Sequence, residues 1–228
     1  MASRPIFITG KTAYPLIRVL DVKFEWYAGL SLAQKRKSIS SLHEAAKADL
    51  KLESVLEIST KSDNPLGIRL SAFNLQLKSF AGFTSSVEAI FQGSKRFEKG
   101  GPFTDLYAAT ARQAKSDTRL RSSGPLVGFA YEGFEWPLSP MTAFYDWLYI
   151  NALQQNQDAA KLVLKFDAFT DIEFNPKRSL NCQAAAAARY NALVKFDLLN
   201  LALRSPADFI DVMAKHTQHS ESGQITLI

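Results

Sequence analysis

The sequence has few of the residues that form covalent or metal cross-links. Among its 228 residues Cys182 is the one cysteine, so an internal disulfide is impossible, and this scarcity favours a reducing, intracellular setting. With only three histidines, His43, His216 and His219, a zinc site of Cys and His ligands is not expected. Composition also excludes disordered, collagen-like and coiled-coil chains, since 46% hydrophobic and 21% charged residues are typical of a globular domain.

The sequence also lacks the apolar segments that target or anchor a protein. Its first ten residues, MASRPIFITG, contain Arg4 and Pro5 where the apolar core of a signal peptide would begin. No uninterrupted apolar run approaches the ~18–20 residues needed to cross a bilayer. We therefore expect a cytoplasmic protein that makes no membrane contact. Its formal net charge of +5 is compatible with a polyanionic partner.

Common catalytic and nucleotide-binding signatures are absent as well. The sequence contains no glycine-rich phosphate loop, no G-x-S-x-G, no H-E-x-x-H and no C-x-x-C. A nucleophilic pair of Cys182 with a histidine remains an alternative, although a lone cysteine at the start of a helix is typical of a core residue. Ligand spacing predicts no metal ion.

Hydrophobic periodicity predicts a helix-rich α+β single domain with short strands mainly in the N-terminal third. Strands are predicted at 5–8, 17–27, 55–59, 68–77 and 126–136. Helices are predicted at 31–50, 87–97, 104–121, 158–166 and 183–203, with two more starting at Ser139-Pro140 and Ser205-Pro206. We divide the chain into an extension of strands and a basic helix packed on the core (1–56), the core itself (57–205), and a C-terminal helix with a loose tail (206–228).

Three polar residues follow the spacing of one helical face. In the predicted helix 87–97, Glu88, Gln92 and Lys95 stand at i, i+4 and i+7, on one stripe about two turns long. Such a stripe is most often a solvated face. A functional interpretation is favoured because the helix is otherwise apolar and the upstream segment carries small polar groups, including Ser71 and Asn74.

Two further segments are candidates on composition alone. Residues 166–183 combine acids, amides and cations with three phenylalanines in a stretch that is neither helical nor extended, and long loops inside compact domains are often functional. In the predicted helix 104–121, Arg112, Lys115 and Arg119 form a cationic stripe that could hold phosphates. A polar surface loop and a solvated helix face are the respective alternatives.

The order of these motifs resembles the NADAR family, also called YbiA-like. The pattern is a Ser-x-Phe segment, then E-x-x-x-Q-x-x-K, a downstream Trp, an Asp-x-x-aromatic loop, and an Asn that leads into a helix. This chain carries it at Ser71 and Phe73; Glu88, Gln92 and Lys95; Trp136; Asp171 and Phe174; and Asn181. Across nearly the whole chain, the sequence is similar to one branch of the family, the NADAR antitoxins paired with DNA ADP-ribosyltransferase toxins.

The chain departs from the wider family at three points. Arg96 stands between Lys95 and Phe97, whereas in the family pattern the phenylalanine follows the lysine directly. Phe174 and Asn175 stand where most relatives outside this branch carry Trp and Gly. The S-N-F of those relatives is Ser-Ala-Phe here, so the amide would come from Asn74.

The resemblance implies an N-glycosyl hydrolase that removes ADP-ribose from the exocyclic amino group of guanine in DNA, and thus an antitoxin to a DNA ADP-ribosyltransferase. The substrate would be ADP-ribosylated DNA, either single-stranded or with the base extruded. The cognate toxin is an additional candidate partner, and no cofactor is implied. The alternatives are an N-glycosidase of a small phosphoribosyl-amine metabolite and a non-enzymatic antitoxin that binds its toxin.

Under this resemblance Glu88 and Lys95 are the candidate catalytic residues. A carboxylate can stabilise positive charge on the anomeric carbon and activate water. Lys95 would either form a Schiff base with the opened sugar, for which its amine must be neutral, or act as a general acid. The candidate substrate-binding residues are Ser71, Phe73, Asn74, Gln92, Arg119, Trp136, Asp171, Asn175 and Asn181.

Three groups of these residues have more specific assignments. Asp171 and Asn181 are candidates for ribose hydroxyls or the base. Phe73 and Trp136 offer flat faces for a base, or are core aromatics. The candidates for the diphosphate are Arg119, Lys177 and Arg178.

Overall fold

The chain folds into one α+β domain in a computed structural model that describes residues 1–177 and 179–217. The predicted fold class is confirmed. The predicted location of the strands is wrong, because strands occur throughout residues 2–170 and five of those described begin after residue 80. Short strands around the later helices carry no long alternating pattern, so their sequence gives little signal.

The largest sheet joins the N-terminal strands to a strand from the second half of the chain. Strands β1 (Ala2–Thr9), β2 (Ile17–Phe24), β3 (Val55–Glu57) and β9 (Ala168–Thr170) form it in the order β2-β1-β9-β3. β9 is antiparallel to β1 and parallel to β3. The predicted helix at 31–50 is confirmed as α1 (Leu32–Leu50), which buries Ile39 and Leu42 against this sheet.

The segment predicted as strand 68–77 folds differently. A short helix α2 (Pro65–Arg69) begins there, because Asn64 caps it by accepting from the Leu66 N–H and Pro65 suits the first helical position. A turn follows, and only then do β4 (Gln76–Lys78) and β5 (Thr84–Ser86) form a hairpin. Ser71 and Phe73 therefore lie in a turn and not in a strand.

The predicted helix 87–97 is also wrong in its second half. Helix α3 covers Val87–Gly93, and the chain then enters strand β6 (Lys95–Phe97), where Lys95 pairs with Phe129 of β7 (Leu126–Tyr131). A Cβ atom on Gly93 would lie 2.7 Å from a ring carbon of Tyr107, so the end of α3 is packed too closely for any larger side chain. Lys95 is consequently not on the helical stripe of Glu88 and Gln92. β8 (Phe134–Trp136) completes this three-stranded sheet.

The predicted helix 104–121 is three short pieces. These are a 3-10 helix (Thr104–Ala108), α4 (Ala111–Ser116) and α5 (Arg119–Ser122). Asp117 interrupts the run by leaving the helical conformation and accepting from the Arg119 N–H. Arg112, Lys115 and Arg119 therefore do not share one helical face.

The remaining helices follow β8. They are α6 (Ala143–Gln155), α7 (Gln157–Val163), α8 (Gln183–Lys195), α9 (Leu199–Ala202) and α10 (Pro206–His216). The cap at Ser205 is confirmed, but α6 begins three residues after Pro140 with no side-chain cap. The single helix predicted at 183–203 is wrong, because Asp197 has a φ of 55° and separates α8 from α9. His219 and the rest of the predicted loose tail lie outside the described residues.

The main core lies between α3, the β6–β8 sheet, α6 and α8. Phe91, Phe129 and Phe144 pack together there, and α8 contributes a run of buried alanines that allows close helix contact. None of the described helices is long and apolar enough to span a membrane.

Candidate active site

Glu88 is the carboxylate around which the candidate site is built. It is 6% exposed in the first turn of α3, and its backbone N–H donates to Ala72 O at 2.9 Å. Gln92 Nε2 donates to its Oε1 at 2.9 Å, and Lys115 Nζ lies 3.5 Å from the same oxygen. Two donors therefore hold a buried anion in a fixed orientation. Lys115 Nζ also lies 5.2 Å over the ring of Phe73, which joins that ring to the cluster.

Lys95 reaches the same region from strand β6. Burial lowers the pKa of its amine to about 8; the field of Glu88 opposes this effect, and the Lys115 cation adds to it. The Lys95 Nζ lies 5.0 Å over the Phe91 ring, an arrangement that favours the charged amine. Glu88 and Lys95 are thus within electrostatic reach of each other even though no helix links them.

Tyr145 on α6 is a buried phenol within the electric field of both Glu88 and Asp171. Its phenol is 5% exposed, and its pKa is raised well above the ordinary value by burial first and then by the field of Glu88, with Asp171 a smaller contributor. The sequence analysis missed Tyr145, because its position in an apolar helical stripe is typical of a core residue.

Gln183 holds together the backbone segments that carry the candidate residues. Its Oε1 accepts from the Ala72 N–H at 2.7 Å, while its Nε2 donates to Ile58 O at 2.7 Å and to Asp171 Oδ2 at 3.0 Å. Because the Ala72 carbonyl accepts from the Glu88 N–H, an unbroken chain of contacts runs from Asp171 to Glu88. The sequence analysis missed Gln183, since no local pattern distinguishes it from other residues at a helix start.

Asp171 lies beside a second, more deeply buried carboxyl group. Glu57 is 1% exposed and accepts from Ser59 Oγ, Thr170 Oγ1 and the Ile172 N–H. Burial raises the pKa of Asp171, and the neighbouring Glu57 carboxyl raises it further. Burial raises the pKa of Glu57 as well, against its three hydrogen bonds. Two such close groups do not both ionise readily.

The remaining candidates from the turn after α2 and from the loop after β9 make local contacts. Ser71 is 1% exposed and donates to Ile68 O, and the exposed Asn74 donates to the same carbonyl. Asn175 accepts from the Lys177 N–H. Among the described residues, Asn181 Oδ1 is buried and has no hydrogen-bond partner. Asn181 is the one of these four with a buried acceptor left free for a ligand.

Two other candidates are engaged elsewhere. Trp136 is 2% exposed and packs against Phe144 and Trp147, so it is a core aromatic with almost no surface for a base. Arg119 pairs with Asp105 at 2.6 Å and with Asp117 at 3.0 Å, so its charge is already neutralised.

Three further expectations have different outcomes. Lys177 is exposed, and Arg178 lies outside the described residues. Cys182 is 3% exposed, and burial raises the pKa of its thiol well above the ordinary value, which argues against a nucleophilic thiolate. Across residues 1–177 and 179–217, no three His, Cys, Asp or Glu side chains are grouped so as to hold a metal ion.

Two cavities open on the surface, and neither is lined by Glu88 or Lys95. The larger, about 480 Å³, is lined by polar residues of the β4–β5 hairpin and the α6–α7 junction, including Gln76 and Gln155, and is remote from the chemistry. The smaller, about 300 Å³, is lined by Phe83, Tyr107 and Tyr131. Tyr107, which lines this cavity, contacts Ser94, the residue before Lys95 in the chain; the two hydroxyl oxygens are 2.9 Å apart.

A family model of DarT1-associated NADAR antitoxins matches residues 2–223. The chain belongs to this family. Membership links it to a DarT1 toxin–antitoxin system, and the NADAR antitoxins are a family of ADP-ribose glycohydrolases. No curated protein matches the chain. The family resemblance seen in the sequence is confirmed.

Proposed function

We propose that this NADAR antitoxin is an N-glycosyl hydrolase that removes ADP-ribose from guanine bases in DNA, with Glu88 and Lys95 as its catalytic residues. The observation that carries the proposal is the pairing of a buried, doubly held carboxylate with a lysine whose pKa is lowered to about 8. Perturbed ionisable groups of this kind are concentrated at functional sites.

The lowered pKa of Lys95 supports a nucleophilic role. With a pKa of about 8, roughly a tenth of the amine is neutral at pH 7. The ribose ring opens at the anomeric carbon, leaving an iminium to the guanine nitrogen, and the ring oxygen takes a proton. Lys95 Nζ then bonds to that carbon, its proton passes to the guanine nitrogen, and the bond between that nitrogen and the carbon breaks as a Schiff base forms.

Water completes the reaction. It adds to the Schiff base, releases Lys95 as the amine and leaves an aldehyde that closes to ADP-ribose. One water is consumed and one C–N bond is replaced by a C–O bond. The Glu88 carboxylate stabilises positive charge at the anomeric carbon and accepts the proton of the attacking water.

Contacts with the rest of the substrate follow from groups around the pair. The unpartnered Asn181 Oδ1 suits a ribose hydroxyl or a base N–H, again judged among the described residues. Asp171, with its raised pKa, can donate as well as accept a hydrogen bond. The half-buried Phe73 ring offers one face to a base, the other side being near Lys115.

The test uses an oligonucleotide that carries ADP-ribose on one guanine. We expect the wild-type protein to restore the mobility of the unmodified strand, and borohydride to trap a covalent protein adduct. Lys95→Arg should give no adduct, because guanidinium is not deprotonated in proteins. Glu88→Gln should slow turnover by at least about 100-fold, the range for loss of a general base. Lys215→Gln, on α10 and paired with Asp211, is the matched control.

Each alternative gives a distinct result. Full turnover with no trapped adduct would assign Lys95 the role of general acid. Turnover of phosphoribosyl-amines but not of modified DNA would favour a metabolite N-glycosidase. Rescue of toxin-expressing cells by Glu88→Gln and Lys95→Arg would contradict the enzymatic proposal and favour a toxin-binding antitoxin.

A further inference from the structure

The smaller cavity is a shallow groove walled by aromatic rings. Phe83 and Tyr107 stack with ring centroids 5.3 Å apart and planes 20° apart, and Tyr131 meets Tyr107 edge-on at 6.0 Å. Pro102 completes the apolar wall. We call this surface the aromatic groove. Its volume of about 300 Å³ lies at the small end for ligand sites, which suits a single planar ring system.

A buried hydroxyl without a partner adds polarity to this apolar surface. Tyr131 is 3% exposed and lines the groove, and within the described part of the chain its Oη makes no hydrogen bond of normal geometry, although the Glu132 carboxylate is close enough to help raise its pKa. Leaving a buried hydroxyl unpaired costs free energy, which a ligand atom able to accept or donate a hydrogen bond would recover. Apolar walls with one convergent polar group are typical of a site for a heteroaromatic ring.

An exposed phenylalanine stands at the rim of the groove. Phe80 is 93% exposed at the tip of the β4–β5 hairpin, and its N–H donates to the Glu132 carboxylate, while Glu132 itself lines the groove. Gly82 closes the hairpin by donating to Ser79 O. A single exposed hydrophobic residue is common on its own, so what distinguishes Phe80 is its place beside the apolar walls of the groove. The rim and the walls together resemble the stacking platforms that hold bases of single strands.

One buried residue, Ser94, lies between the groove and the candidate site. Ser94, which precedes Lys95, contacts Tyr107 through its hydroxyl and accepts from the Ala130 N–H at 2.8 Å, and both Tyr107 and Ala130 line the groove. A ligand in the groove would therefore be next to the strand that carries Lys95. The rim bears the Glu132 carboxylate, which disfavours a phosphate there and favours an uncharged ring.

We propose that Phe80 and the aromatic groove bind a nucleobase of the DNA strand adjacent to the modified guanine. This inference rests on the proposed function for the identity of the strand. The base stacks between Phe80 and the Phe83–Tyr107 pair, and Tyr131 Oη hydrogen-bonds its polar edge. Stacking recognises any base face, so the contact is expected to be sequence-tolerant and to act on strand binding rather than on bond cleavage.

The first experiment measures binding of a fluorescent, unmodified single-stranded oligonucleotide by anisotropy. Because Phe80 is exposed, Phe80→Ala should fold normally, and we expect its Kd to rise at least about fivefold, the lower end for loss of one stacked base. Tyr131→Phe keeps the ring and removes the hydroxyl, and its Kd should rise at least about twofold. Tyr14→Ala, which removes another exposed aromatic (56%), should bind within twofold of wild type.

The second experiment separates this inference from the proposed function. Phe80→Ala should lose kcat/KM on the ADP-ribosylated oligonucleotide through a higher KM, and keep wild-type kcat/KM on ADP-ribosylated guanosine monophosphate. Wild-type affinity of Phe80→Ala for the strand overturns the inference, as does an equal loss in Tyr14→Ala. Weaker strand binding by Phe80→Ala, with no turnover by the wild type, supports the groove and contradicts the hydrolase. A Phe80→Ala variant that loses only toxin binding assigns the surface to a protein and overturns the inference.

Discussion

The pKa of Lys95 is the property on which the nucleophilic mechanism depends most. Its fall from 10.5 to about 8 corresponds to roughly 3 kcal/mol, at about 1.4 kcal/mol per pH unit. At pH 7 this raises the neutral fraction of the amine from about one in 3,000 to about one in ten, a gain of about 300-fold. If Lys95 reacts as the neutral amine, kcat/KM should rise about tenfold per pH unit below pH 8 and level off above it.

The neighbouring charges predict the order in which variants shift this pKa. Lys115→Gln removes a cation that disfavours the ammonium form, so the pKa of Lys95 should rise; Glu88→Gln removes an anion that favours it, so the pKa should fall. The ε-carbon resonances of ¹³C-labelled lysine, followed against pH, report each value without requiring activity. Lys215→Gln should leave the value unchanged. A wild-type Lys95 that titrates near 10.5, or the reverse order of the two variants, would refute the reasoning.

Three other predictions concern the surroundings of the site. Gln183→Ala should raise the pKa of Asp171 further in a carboxyl ¹³C titration, because it removes a hydrogen-bond donor to the ionised form. The control Gln155→Ala removes a glutamine that likewise bonds to backbone N–H and C=O groups, those of Lys78, and should leave the pKa of Asp171 unchanged. The raised pKa of Asp171 predicts that the wild-type protein loses stability as the pH rises from about 4 through that pKa, because the unfolded chain releases the Asp171 proton at lower pH than the folded protein does. In Asp171→Asn this part of the pH dependence should disappear, and urea unfolding at several pH values measures it. Trp136→Ala should lower the free energy of unfolding by about 3–5 kcal/mol, and a change in KM alone would contradict its core position.

Local signals in the sequence predicted those elements whose ends are set by their own residues. Ser205 caps α10, and that helix begins where the cap predicts; α1, predicted at 31–50, begins at Leu32 after the cap Ser31. The similar Ser139-Pro140 signal failed: α6 begins only at Ala143, without a side-chain cap, and its first two turns are buried. Caps supply about 1 kcal/mol, which tertiary packing overrides.

The spacing of Glu88 and Lys95 predicts one helical stripe, and that geometry is wrong, because the helix ends at Gly93 and Lys95 stands on strand β6. Lys95 pairs there with Phe129, more than thirty residues away in the chain, and no local pattern reports such a partner. Gln183 could not be predicted for the same reason, since each of its contacts joins residues far apart in the chain.

The position of β9 bears on any attempt to shorten the protein. Its backbone partners are β1 and β3, so removal of residues 1–56 would delete β1 and two of the three β3 residues and leave the strand that leads into Asp171 paired only at Thr170. The same cut would delete Phe7, whose ring meets Phe174 edge-on at 6.0 Å. A strand with one edge open and the other mostly open is a template for intermolecular pairing. A fragment starting at residue 57 should therefore aggregate rather than persist as a minimal enzyme.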